Sequence, residues 1–199
     1  MAIDINEAKV ANNEIGMWLE WTLATTFGML LGFVSSLILV NTLSLPLARL
    51  IVPLAAGFLV GLSQWIVLHK YLNEVSDWVL AGSVSWAAGY ALGLFVMNGL
   101  TGTGLDGLIG YILFGVIVAL VQWTLLHREI PNVWMWVLAN IVGWTTGFYL
   151  SQFSLDLFFN GPAINPIAST SVIAGVSGLV AGAITGIALV WIVRQPEQT

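Results

Sequence analysis

The chain has 199 residues, of which 58% are hydrophobic and only 8% charged. A soluble domain carries about a quarter charged residues, so this chain lacks the polar surface to face water on all sides and reads as an all-α integral membrane protein in a lipid bilayer. Its formal charge of −5 argues against nucleic acid as a partner, and with no cysteine it has no disulfide, thiolate ligand or thiol nucleophile.

Residues 1–17 carry Asp4, Glu7, Lys9 and Glu14. A secretory signal begins with a basic segment and ends at a small-residue cleavage site. This stretch is acidic, so it is expected to be a retained cytosolic or interfacial segment, with a short helix.

A spanning helix needs about 20 mostly apolar residues. Six such segments follow, at roughly 18–41, 46–69, 78–98, 106–127, 133–153 and 169–193. The breaks are punctuated by Asn41 to Pro46, the polar run His69 to Asp77, the Gly/Thr-rich run Asn98 to Gly107, Pro131, and Gly161 with Pro162 and Pro166. Residues 18–193 thus form one transmembrane domain of three hairpins, 18–69, 78–127 and 133–193, with a cytosolic tail at 194–199. The longest linker holds Phe153 to Phe159, expected as a short amphipathic segment on the outer interface.

The hairpins repeat. Residues 64–92 align without a gap with 122–150, and 13 of 29 positions match, including Gln64/Gln122, Trp65/Trp123, His69/His127, Trp78/Trp136 and Trp86/Trp144. Apolar matches alone could be lipid-facing filler, but repeated Trp, His and Gln cannot. The first span joins more weakly, through Trp21, Leu23, Ala24 and Gly32 against Trp78, Leu80, Ala81 and Gly89. In the last span Gly182-x-x-x-Gly186 resembles Gly57-x-x-x-Gly61, which sets Trp191 near the place of Trp65. Three hairpins inserted the same way round make parallel repeats, and their natural relation is a pseudo-threefold axis along the membrane normal.

Lys9, Lys70, Arg128 and Arg194 fall on one side of the spans and Arg49 on the other. The positive-inside rule then places both termini in the cytoplasm. Arg49 lies one turn into its span and can snorkel to the outer interface.

Lipid tails are as apolar as leucine, so small residues rather than burial bring membrane helices together. Gly28/Gly32, Gly57/Gly61, Gly89/Gly93, Gly143/Gly147 and Gly178/Gly182/Gly186 give five spans a small face, and the fourth carries Gly110 and Gly115. These faces serve packing within the chain, or one of them takes another subunit. Gln64, Gln122 and Asn140 are expected to hydrogen-bond across helices, because hydrocarbon offers no partner.

Both histidines occupy the same repeat position, His69 before Lys70 and His127 before Arg128. The plain reading is a polar helix end that complements the helix dipole. The functional alternative is a ligand site made of His69, His127, Trp65, Trp123, Gln64 and Gln122. There a neutral imidazole would hold a haem or other tetrapyrrole pigment, or the group would bind a lipid. No zinc-type ligand set accompanies either histidine, and no metal site is expected. All ten Trp fall in the inner half of the spans, either as an interfacial belt or as a face for a partner.

Gly175-Val-Ser-Gly178 matches the nucleophile motif of rhomboid intramembrane proteases, but no His follows Ser177. The two histidines lie about 18 Å away in depth at 1.5 Å per residue, beyond the reach of a general base. The motif is rejected, and no enzyme is expected. No charged residue sits near the centre of any span, which counts against an ion-coupled carrier.

The pattern Gly-x-x-Gln-Trp-x-x-Leu-His, then Trp-Val-Leu-Ala and Gly-Trp-x-x-Gly, covers 61–70 with 78–89 and 119–128 with 136–147, Ser85 and Ala119 standing in place of a Gly. With the ending Ala-Leu-Val-Trp-Ile-Val-Arg-Gln-Pro196 it resembles Trp/Gly-rich six-span membrane proteins of cyanobacteria and other phototrophic bacteria. That group has no assigned activity, so the resemblance implies only a host type, and with it a bacterial inner or photosynthetic membrane. The expectation for function is a non-enzymatic accessory or scaffold subunit of a membrane complex. Its partner would sit on the cytoplasmic Trp-rich side or on a glycine face. The alternatives are the pigment or lipid binder and a channel or carrier for a small neutral solute.

Overall fold

The computed structural model describes residues 5–99, 106–128, 130, 132–159 and 165–194. Among them are six helices and no strand: α1 (Ile5–Thr42), α2 (Leu45–Leu68), α3 (Trp78–Gly99), α4 (Asp106–Leu126), α5 (Trp134–Phe159) and α6 (Pro166–Val193). Five of them are long and apolar enough to cross a membrane. The exception is α5, which has the length but is diluted by Asn140, Thr145, Thr146, Ser151, Gln152 and Asp156. Pro131, Gly161, Pro162 and the tail from 195 on lie outside the described residues.

Two boundaries differ from the sequence reading. The N-terminal segment is helical and continuous with the first span: residues from Ile5 run into it as one helix of 38 residues. Nothing between Ile5 and Trp18 breaks a helix, since Gly16 alone costs only about 1 kcal/mol. At the other end of the chain, Phe153 to Phe159 is no separate surface segment but the last turns of α5. Elsewhere the punctuation holds. Pro46 and Pro166 sit at the start of α2 and α6, where a missing N–H costs nothing, and Asn165 caps α6 by accepting from the Ile167 N–H at 2.9 Å.

Each helix packs its backbone against its two neighbours in the chain, α6 closes back on α1, and among the described residues the odd helices meet across the middle through side chains alone. The six helices therefore form a closed ring. Glycines let the walls approach. A Cβ on Gly57 would stand 2.6 Å from the Gly82 carbonyl oxygen, and one on Gly178 would stand 2.8 Å from the Thr26 Cα, so neither contact admits a side chain. Gly28, Gly89, Gly115 and Gly147 meet α2, α4, α5 and α6 in the same manner. These glycines thus pack against neighbouring helices of the same chain.

Inside the ring are two apolar clusters. One, around Trp21, Trp78, Trp136, Leu68, Leu126 and Leu189, lies toward the end that carries Lys70, Arg128 and Arg194, here called the basic end. The other, around Met29, Trp86, Phe114, Val118 and Trp144, lies about two helical turns further along.

Candidate functional site

The axis of the ring is built from the odd helices. Trp21, Trp78 and Trp136 meet edge to face, with ring centroids 5.6 to 6.2 Å apart, and none is more than 1% exposed. This geometry sets the positive edge of one indole against the negative face of the next. Three large rings at that spacing fill the axis at the basic end. A second layer follows, where Trp86, Phe114 and Trp144 make a further edge-to-face set with centroids 5.1 to 5.8 Å apart. Phe148 and then Tyr111 stack beyond it.

Indole N–H groups buried this deeply need acceptors. Trp21 donates to the Thr185 hydroxyl at 2.9 Å, and Trp78 donates to the Gln64 side-chain carbonyl at 3.3 Å. The Gln64 amide in turn donates to Thr25 at 3.1 Å, so Gln64 links three helices as its type in hydrocarbon requires. Trp144 donates to Asn140 at 3.0 Å, and Asn140 donates to the Trp136 carbonyl at 3.0 Å. Asn140 therefore bonds only within α5, and not across helices as expected. Gln122 departs further: its Oε1 and the Trp136 Nε1 are both buried, and neither has a hydrogen-bond partner.

Above the second layer, toward the far end, a cavity of about 420 Å³ opens on the axis. Its floor is Trp86, Phe114 and Ala56, and its walls reach Ser36 on α1, Val52 on α2, Leu94 on α3, Gly110 on α4, Gln152 on α5 and Ile173 on α6. All six helices contribute.

The six residues expected to form one ligand site are divided by the structure. Gln64 and Gln122 are buried toward the axis, whereas His69 and His127 are exposed at the basic end and Trp65 and Trp123 are half-buried beside them. Each His lies flat on the Trp one turn before it, at 4.8 Å for Trp65–His69 and 4.9 Å for Trp123–His127. His69 Nδ1 lies 2.9 Å from the Trp65 carbonyl. A carbonyl only accepts, so Nδ1 carries the proton and Nε2 of the neutral ring keeps its lone pair. No group of three or more metal-ligating side chains occurs among the described residues.

The basic end is laced by exposed ion pairs. Lys70 meets Glu20 at 2.9 Å, Arg128 meets Asp77 at 3.4 Å, and Arg194 meets Glu14. The first two are exposed on both sides and are worth about 0–1 kcal/mol each, whereas Glu14 of the third is largely covered. Trp134 and Trp191, both exposed, touch edge to face there at 6.5 Å. A cleft of about 350 Å³ beside them is lined by Trp18, Ile187, Val190 and Trp191 with Glu14 and Arg194. Tyr71, in the linker after α2, has its phenol pKa raised above 10.0 by burial and by Glu20, against the opposing pull of Lys70.

The chain matches no protein-family model, no curated protein and no solved structure. What can be argued about function therefore rests on these residues alone.

The Trp residues are where the sequence reading was least complete. Trp21, Trp78, Trp86, Trp136 and Trp144 are buried on the axis, and only Trp18, Trp65, Trp123, Trp134 and Trp191 remain at the surface to form any belt. The signal was in the spacing: one Trp at the same depth on each odd helix is the pattern of a shared axis. Ser177 of the rejected protease motif is fully buried and gives its hydroxyl to the Ile173 carbonyl of its own helix.

Proposed function

We propose that the protein is a non-enzymatic accessory or scaffold subunit of a membrane complex, built from three copies of one hairpin around a pseudo-threefold axis. In this reading all six helices cross the bilayer, with the basic end and both termini in the cytoplasm, in a bacterial inner or photosynthetic membrane.

Support for the repeat comes from equivalent contacts. Trp78 to Gln64 across α3–α2 has the same place as Trp21 to Thr185 across α1–α6. Lys70–Glu20 within the first hairpin has the place of Arg128–Asp77 within the second. The packing favours a different register for α6 than the glycine pattern suggested. Gly182 sits on Thr22 as Gly61 sits on Val79, and Gly178 sits beside Met29 as Gly57 sits beside Trp86. In this register Thr185 stands for Gln64 and Trp191 for Lys70 and Arg128.

That register supplies the observation that carries the functional reading. Where two hairpins end in an ion pair, the third presents the exposed Trp134–Trp191 pair beside an open cleft. A simple interfacial belt would treat the three positions alike. One aromatic site in place of a charged one marks a single direction for a partner, with Trp suited to a desolvated contact. A photo-crosslinking residue at 191 should capture one stoichiometric membrane protein in native membranes, and the same residue at 127 should not. Equal capture at both, or a chain that runs alone at native size, would sink the reading.

A second reading has one observation in its favour. The contact of His69 Nδ1 with the Trp65 carbonyl favours the tautomer whose Nε2 lone pair is able to ligate a haem or other tetrapyrrole. Replacing His69 and His127 with Ala should then strip colour from the purified protein, and an unchanged spectrum ends this idea. The fully buried Trp layer weighs against the solute channel.

A further inference from the structure

We infer that the axial cavity is a binding site for one hydrocarbon chain, the acyl chain of a bilayer lipid, with its terminal methyl resting on Trp86. The inference needs only that the ring stands in a membrane and is independent of the accessory role.

The cavity is closed at one end and elongated. From Trp86 to Leu94 the α3 wall rises about 12 Å at 1.5 Å per residue, for a volume of about 420 Å³, which lies within the range of natural ligand pockets. It is a slot along the membrane normal, the direction in which acyl chains run. Its floor is aromatic, with the Trp144 N–H beneath it taken by Asn140 and the Trp86 indole N–H as its one polar side-chain group.

Water is a poor occupant. A buried water needs two to four polar partners. The Ser36 hydroxyl is already given to the Gly32 carbonyl at 2.7 Å, and beyond it the lining offers only the Tyr90 and Tyr111 hydroxyls and the Trp86 N–H among apolar side chains and glycines. Gln152 is exposed and belongs to the mouth. Emptiness is no better, because a void lined by six helices forfeits the dispersion contacts that its walls would make with a filler. At this depth the medium around the ring is hydrocarbon, so the chemistry at hand matches the lining. The two Trp layers below stop the chain, making the slot a seat and not a passage.

The test uses the full chain in vesicles of phosphatidylcholine that carries a diazirine at the end of one acyl chain. Illumination and peptide mapping should place an adduct on the floor residues Ala56, Trp86 or Phe114, none more than 7% exposed. The double variant Val52→Phe/Ile173→Phe narrows the slot and should lose that adduct at least tenfold. It should keep adducts at lipid-facing Phe95 and Leu179. Adducts confined to the lipid-facing residues of the unmodified protein would overturn the inference. So would native mass spectrometry that finds a free fatty acid retained in place of a phospholipid.

Discussion

Trp78 gives its indole N–H to the side-chain carbonyl of Gln64, 3.3 Å away across the α2–α3 contact. One hairpin further on, Gln122 and Trp136 have the same residue types and are equally buried, yet Gln122 Oε1 and Trp136 Nε1 find no partner. The repeat offers a reason. Gln64 is steadied by Thr25 on α1, and the residue 57 positions on is Gly82, which must lack a side chain because Gly57 packs against it. The glycine that lets α2 and α3 touch removes the group that would have steadied Gln122.

This asymmetry predicts opposite outcomes for one substitution. Gln64→Leu strands the Trp78 N–H and should cost about 1–3 kcal/mol. Gln122→Leu removes an acceptor that is already unpaired and should be neutral or stabilising. Reversible unfolding of both variants in mixed micelles, followed by circular dichroism, reads the difference directly.

The glycines divide in the same way. Gly57→Ala drives a methyl to 2.6 Å from backbone and Trp86 Cβ, and should cost about 1–3 kcal/mol through forced separation of α2 and α3. Gly175→Ala meets nothing within 4 Å and should gain up to about 1 kcal/mol from helix propensity. Thermal midpoints of the two variants, one below and one at or above the parent, are the expected result.

Truncating the axis should be the most damaging single change. Trp21→Ala removes a fully buried ring and its bond to Thr185, at a cost of about 3–5 kcal/mol. Trp21→Phe keeps an aromatic edge and should lose markedly less. Equal losses in the two variants would mean that the ring contacts with Trp78 and Trp136 contribute little.

Tyr71 makes the protein alkali-sensitive. Its folded pKa is raised by burial first and Glu20 second, so the folded state holds the phenolic proton more tightly than the unfolded chain does. The resulting stability is complete below the unfolded value near 10 and is lost as pH rises through the folded one. Tyr71→Phe should flatten the fall in thermal midpoint above pH 10, and Glu20→Gln should lower the phenol midpoint seen by ultraviolet titration.

The helix ends at Pro46 and Pro166 and the glycine faces were legible because they are local chemistry. The burial of Trp21, Trp78 and Trp136 was not. In a soluble helix the buried face stands out as apolar, whereas here Leu80 and Leu138 face outward and are as apolar as anything on the axis. The α6 register was hidden for a related reason. Three glycines spaced by four give two ways to align with Gly57 and Gly61, and only the contacts of Gly178 and Gly182 with α1 select one. The cavity was invisible because it depends on what six separate helices fail to fill.

Because the helix backbones pack only against their neighbours in the chain, with side chains alone meeting on the axis, the wiring of this protein is circular. Almost all of its packing is between adjacent segments, and α6 against α1 is the one closing seam. Arg194 and Glu14 hold that seam at the basic end. A short tether across it, with a new opening cut between Lys70 and Asp77 or between α4 and α5, should give a permuted chain that reaches the same structure. Inserted hairpin by hairpin, the native chain can assemble in the order in which it is synthesised and needs only its last helix to lock the circle.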